Sequence, residues 1–150
     1  MRKLVPILGA AAMLLTAGCA TGQTEKKEAL SFPPPAITLT IQDTGKTIPL
    51  RPGEYALISL KENATTGYSW FFRLDNGRGT PQPKTVEAVE LAGERFLPPS
   101  KMISGAPGVH ELMVRAVRPG TTYVAGRCIR PWEKRPEPAQ TIRYRFEVSR

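Results

Sequence analysis

Tyr55-Ala56-Leu57-Ile58-Ser59-Leu60, then Asn63-Ala64-Thr65-Thr66-Gly67-Tyr68, then Ser69-Trp70-Phe71-Phe72-Arg73-Leu74 read together as strand, turn, strand. Ala56, Ile58 and Leu60 fall on one face at period two, which predicts a half-buried strand. The downstream run is rich in aromatics, which suit a pleated, packed surface. The connection between them carries an Asn, two Thr and a Gly. Asn and Thr side chains hydrogen-bond to their own backbone, and Gly accepts positive φ, so a tight turn is expected. No charged residue lies between Asn63 and Phe72. An uncharged, hydroxyl-bearing tip suits close approach to another protein's backbone, although an ordinary Asx/Thr turn would have the same composition.

The same alternation recurs outward from this hairpin. Ile37, Leu39 and Ile41 alternate with Thr38 and Thr40, predicting a strand over Ala36 to Ile41. Thr47 to Leu50 reads as a short edge piece, because Pro49 cannot donate to a ladder. Thr85 to Leu91 alternates without a clear inward face. Leu112, Val114 and Ala116 mark a strand ended by the turn Arg118-Pro119-Gly120-Thr121. Val124, Gly126 and Cys128 share one face of the next. In the last, Ile142, Tyr144, Phe146 and Val148 face inward against Thr141, Arg143, Arg145 and Glu147. With 15 prolines, 13 glycines and no long amphipathic helix, seven or eight short strands predict an all-β sandwich with Trp70 in its centre.

At 150 residues the chain has room for one domain, expected over 36–150. Residues 1–18 read as a signal peptide: Arg2 and Lys3 precede the apolar run Leu4 to Leu15, which is too short for a membrane span. Thr16-Ala17-Gly18-Cys19 resembles a bacterial lipoprotein box, with cleavage before Cys19 and a lipid on its thiol. Residues 19–35, polar and ending in Pro33 to Pro35, read as a flexible tether that buries nothing. The expected location is the cell envelope, lipid-anchored to the outer membrane and facing the periplasm. Cys128 stands alone in the domain, so no internal disulfide is possible there, and its strand phase makes it a buried structural thiol. The net charge of +8 is dispersed through strands with no basic helix, which argues against nucleic-acid binding.

Chemistry for catalysis is missing from the pattern. One His and one domain Cys cannot supply three metal ligands, so no metal or other cofactor is expected. His110 reads as an exposed strand residue, and Glu87 and Glu90 as solvated strand ends. A thiol–imidazole nucleophile built from His110 and Cys128 would lack an orienting partner. Two non-enzymatic classes remain: an inhibitor, and a non-inhibitory envelope binding module with the same fold.

Two later stretches change the reading of the first loop. Gly105-Ala106-Pro107-Gly108 and Arg130-Pro131-Trp132 follow Asn63-Ala64-Thr65-Thr66-Gly67-Tyr68 in that order. The three resemble the loop motifs of the chagasin-like cysteine protease inhibitors: N-P-T-T-G with an aromatic, G-x-G-G, and R-P with Trp or Phe. The resemblance spans Ile37 to Val148. Ala64 stands where the family has Pro, and Pro107 where it has Gly. The resemblance implies an immunoglobulin-like sandwich with the loops 63–68, 102–108 and 130–132 gathered at one end. It further implies a monomer that reversibly fills the cleft of a papain-like cysteine peptidase. In that reading Asn63, Thr65, Thr66, Gly67 and Tyr68 approach the catalytic Cys, the Thr hydroxyls satisfying polar groups there. Met102, Ile103, Gly105 and Gly108 pair along one flank. Trp132, with Pro131 and a hydrogen-bonding Arg130, anchors the other.

Overall fold

The computed structural model describes residues 31–78, 87–101, 103 and 105–150. Eight strands form two four-stranded sheets that enclose one apolar core in an immunoglobulin-like β-sandwich. The strands are β1 (Ile37–Leu39), β2 (Thr47–Leu50), β3 (Tyr55–Glu62), β4 (Ser69–Asp75), β5 (Val89–Leu97), β6 (Gly108–Ala116), β7 (Gly120–Ile129) and β8 (Gln140–Val148). One sheet runs β1-β3-β6-β5 and the other β2-β8-β7-β4. β1 pairs parallel with β3, and β2 parallel with β8. The described residues therefore enter the sandwich on the edge of one sheet and cross to the edge of the other. The Tyr144 hydroxyl pins that crossing by donating to the Thr40 carbonyl at 2.7 Å.

Alternation places the core as expected. Ala56, Ile58 and Leu60 meet Leu112, Val114 and Ala116 from one sheet, and Trp70, Val124, Cys128, Ile142, Tyr144, Phe146 and Val148 face them from the other. Pro49 lies exposed on the edge strand β2. Three expectations need correcting. β1 stops at Leu39, because Thr40 turns to cap a 3-10 turn over Ile41–Asp43, which leaves Ile41 exposed. The strand expected over 85–91 has its first two residues outside the described ones, and β5 runs instead from Val89 to Leu97. A register shift between Leu91 and Gly93 breaks its period, so the inward phase changes mid-strand. Glu87 is not simply solvated: it accepts from the Thr122 hydroxyl at 3.0 Å, while Glu90 does face outward and pairs with Arg115.

The end of the segment read as burying nothing also touches the domain. Phe32 is half-buried under the Arg95 guanidinium, 4.2 Å from its ring centre, on β5. Four residues later the Ala36 amide donates to the Tyr55 carbonyl of β3. Residues 32–36 thus pass from the β5 side toward β3, over the sheet face that carries Met113. Met113 lies out of phase with Leu112 and Val114, yet it is only 1% exposed.

Register fixes the functional end. Glu62 lies opposite Gly108 and Val109 opposite Leu97, while Ser69 lies opposite Ile129 and Cys128 opposite Gln140. Strands β3, β5 and β7 end there and β4, β6 and β8 begin there. The connections after β3, β5 and β7 are consequently gathered at one pole of the sandwich.

Candidate functional site

The first loop builds its own scaffold. Asn63, in extended backbone, caps a 3-10 turn over Ala64–Thr66, and its Oδ1 accepts from the Thr65 amide at 3.2 Å and the Thr65 hydroxyl at 2.7 Å. The Thr66 amide and hydroxyl both donate to the Asn63 carbonyl, at 3.1 and 2.7 Å. Gly67 ends the turn in the left-handed region at φ 77°. Both hydroxyl protons are therefore spent inside the loop. Toward a partner these Thr side chains offer acceptor lone pairs and methyl groups, not donors, which refines the role expected of them.

The other two loops are bonded to the first. Asn63 Nδ2 donates to the Gly105 carbonyl at 3.2 Å, joining the first loop to the second. Arg130 Nε donates to the Thr66 carbonyl at 3.2 Å, its guanidinium lies 4.5 Å from the centre of the Tyr68 ring, and Nη1 reaches Glu133 at 3.5 Å. The Trp132 indole covers Gly67 so closely that an added Cβ would lie 2.0 Å from its Cη2. A partially exposed Arg with this many local contacts is a brace between loops; the sequence suggested only an outward hydrogen-bonding role.

Placement of the candidate residues is uneven. Asn63, Thr65, Thr66, Gly67, Gly105, Arg130, Pro131 and Trp132 come together at the pole, with Trp132 67% exposed and Ile103 63% exposed. Tyr68 is half-buried and packs on the core beneath Arg130. Gly108 is buried at the start of β6, where a Cβ would meet the Phe96 ring at 2.4 Å, so it serves close packing and not the surface. Met102 and Cys19 lie outside the described residues.

His110 overturns its expected exposure. It is 8% exposed, with Nδ1 2.8 Å from Glu62 Oε2 and Nε2 2.5 Å from Glu94 Oε1. Glu62, itself 6% exposed, also accepts from the Trp70 amide at 2.9 Å and the Ser69 hydroxyl at 3.3 Å. The signal was present in the alternation: Glu62 shares the inward phase of Ala56, Ile58 and Leu60, and His110 that of Leu112 and Val114. Both ring nitrogens face carboxylates, leaving none for the Cys128 thiol. That thiol is buried, and burial first and the Glu62 charge second push its pKa up, away from a nucleophilic thiolate.

The chain is similar to known proteins. Amoebiasin-2 of Entamoeba histolytica is 27% identical over 106 residues, which are 71% of this chain and 80% of that protein. Chagasin of Trypanosoma cruzi is 29% identical over 94 residues, 63% of this chain and 81% of its own. Among solved structures, the cysteine protease inhibitor EhICP2 of Entamoeba histolytica superposes with a TM-score of 0.62 at 21% identity, over 77% of this chain and 100% of that one. PbICP-C, solved in complex with falcipain-2, gives 0.50 at 19% identity, over 75% and 98%. These likenesses show a common fold. The profile described as Chagasin family peptidase inhibitor I42 matches residues 50–148. A match that takes in β3 to β8 and all three polar loops settles the kinship: the chain belongs to the chagasin family of peptidase inhibitors.

Proposed function

We propose that this protein inhibits papain-like cysteine peptidases reversibly, by inserting the loops 63–68, 102–108 and 130–132 into the active-site cleft. The observation that carries this reading is the cross-bonding of three separate connections at one pole, with Trp132 and Ile103 left exposed. A pre-bonded wedge loses little freedom on binding. Its tip, the Thr65-Thr66-Gly67 turn, presents backbone and methyl groups with no bond set up for cleavage. Trp132 and Ile103 supply apolar area on the two flanks, and a Trp is a frequent centre of binding energy. A superposition over 77% of this chain takes in the whole of the solved EhICP2 chain, so a fragment from residue 31 onward is a fair reagent. Titrated against a papain-type peptidase, it should abolish activity at one-to-one stoichiometry and be recovered uncleaved. Full activity across several such enzymes would reject the proposal and favour an envelope binding module.

The same proposal extends to location. The charged start, the short apolar run and Ala17-Gly18-Cys19 support a lipid-anchored mature chain beginning at Cys19, held in the cell envelope by the segment up to residue 31. Cys19→Ser should release the protein from membranes or leave the precursor uncleaved. Unchanged fractionation and mass would remove the anchor.

A further inference from the structure

We propose that the outer face of the β2-β8-β7-β4 sheet docks on an anionic lipid surface, laying the sandwich sideways on the membrane with the loop-bearing pole left open. The choice of a lipid rests on the proposed anchor at Cys19; the surface itself stands on charge and exposure.

Strand phase builds the face. Phe71 and Arg73 of β4, Arg127 of β7, and Arg143 and Arg145 of β8 lie out of phase with the buried Trp70, Cys128 and Tyr144. Register sets them side by side: Phe71 lies opposite Arg127, and Arg73 shares a row with Arg143 across Ala125. Two carboxylates share the face. Asp75, 1% exposed, accepts from Arg143 at 3.0 Å, and Glu147 pairs with Arg145 at 2.6 Å. Arg73 pairs with no acid among the described residues, and Arg127 donates to the Pro136 carbonyl at 3.3 Å. That bond brings the β7–β8 connection alongside, with Lys134, Arg135 and Glu137 exposed on it. The two arginines of β4 and β7 are thus left without a balancing carboxylate, and the connection adds to their excess. Phe71 stands 47% exposed among them, an aromatic that a headgroup layer accommodates better than water does. On the opposite sheet the outward charges pair off, Arg95 with Glu111 and Arg115 with Glu90, leaving Lys61 in excess, and residues 32–36 already cross that face.

Charge selects an anion, and the rest of the chain selects the lipid. Cations spread over three strands of a sheet suit a plane of phosphates better than a single small anion, which needs converging donors. Ser31 lies twelve positions after Cys19. A chain of that length reaches at most about 40 Å, against a spacing of about 10 Å between packed sheets, so an anchor at Cys19 can seat either face on the bilayer. Only this face carries the charge for it. A short tether holds the face near the headgroups at high effective concentration, so a modest attraction is enough. The loops 63–68, 102–108 and 130–132 leave the strand ends at one pole. Strands lying in the membrane plane direct that pole sideways, where a peptidase can reach it.

The fragment from residue 31 carries no anchor, so its binding to vesicles tests the face alone. With lipid in excess it should sediment with vesicles of equal phosphatidylglycerol and phosphatidylcholine, and not with phosphatidylcholine alone. Roughly 0.5 M salt should release it. Arg73→Gln combined with Arg127→Gln should weaken the binding about tenfold to thirtyfold. Lys61→Gln combined with Arg115→Gln removes the same charge from the other sheet and should weaken it by less than about threefold. Arg73→Gln alone, at a position with no acid partner, serves if the first pair does not fold. Equal losses from the two pairs would reduce the effect to net charge and overturn the face. No binding to the anionic vesicles overturns the lipid, and retention on polyglutamate in that case would assign the face to an acidic protein. Inhibition of a papain-type peptidase should be unchanged by saturating anionic vesicles; its loss would put the pole against the bilayer and overturn the sideways orientation. Fractionation of Cys19→Ser tests the anchor separately, because the vesicle result needs neither a lipidated cysteine nor a peptidase.

Discussion

Gly67 and Trp132 lie 65 positions apart in sequence and touch in space, and that contact sets the tip of the wedge. Gly67 stands at φ 77°, where a side chain is strained, and the room a Cβ would take is filled by indole. Gly67→Ala should therefore displace Trp132 as well as distort the turn, and it should weaken inhibition more than Trp132→Ala does. Trp132→Ala should raise the inhibition constant about tenfold to thirtyfold, roughly 1.4–2 kcal/mol, because an aromatic anchor is lost. Its melting temperature should hardly move, since the ring is 67% exposed. Inhibition constants paired with melting curves check both; a Trp132→Ala protein that inhibits like the parent removes the third loop from the mechanism. Positive φ at Gly67 was legible from residue type alone. The indole against it was not, because nothing local in either stretch encodes a contact between connections of different strand pairs. His110 is the opposite case: its phase with Leu112 placed it inward, and polarity argued wrongly for exposure. A buried polar side chain needs partners, and the partners Glu62 and Glu94 come from two other strands.

Elements were read best where both sheet faces differ in polarity. β3, β7 and β8 alternate cleanly because one face meets the core and the other is more open to water, whereas β6 also buries Glu111 and Met113 on its outer face. β5 was misplaced because the register shift at Leu91 and Gly93 changes its phase, and Glu94 and Arg95 are recruited by His110 and Glu111. Among the loops, the first offers a test of pre-organisation. Ala64 is exposed at the first position of a 3-10 turn, where φ is close to the proline value and an amide has no intra-turn partner. Asn63 before it is already extended, at φ −103° and ψ 93°, as a residue preceding proline prefers. Ala64→Pro should stabilise the folded chain by about 0.4–1 kcal/mol through the unfolded state. Inhibition should tighten slightly or stay unchanged. A lowered unfolding midpoint in denaturant would show that the loop needs the Ala64 amide or a different φ.

The whole molecule has no disulfide among its described residues, so cohesion rests on the core and on the crossing between sheets. Cys128 is 7% exposed against that core, and Cys128→Ala should cost about 1 kcal/mol by loss of packing while leaving inhibition intact. Loss of inhibition in the folded variant would revive a role for the thiol. The crossing supplies a sharper test through Tyr144, whose hydroxyl ties β8 to the Thr40 carbonyl at 2.7 Å. Burial first, and the Asp43 charge second, push this phenol up to about 12, against an ordinary value of 10.0. A raised phenol pKa means that the folded state favours the protonated, neutral form. That stabilisation is whole below the unfolded pKa and drains away as pH climbs from 10 through about 12, where the unfolded chain ionises first. Tyr144→Phe keeps the ring and deletes the proton. It should be less stable than the parent near neutrality, by about 1 kcal/mol for one neutral hydrogen bond. The deficit should narrow, and then reverse, as pH passes 10. Melting temperatures of both proteins at neutral and strongly alkaline pH decide it. Parallel losses in the two would mean that Tyr144 does not titrate against folding, and that the seam between the sheets holds without its proton.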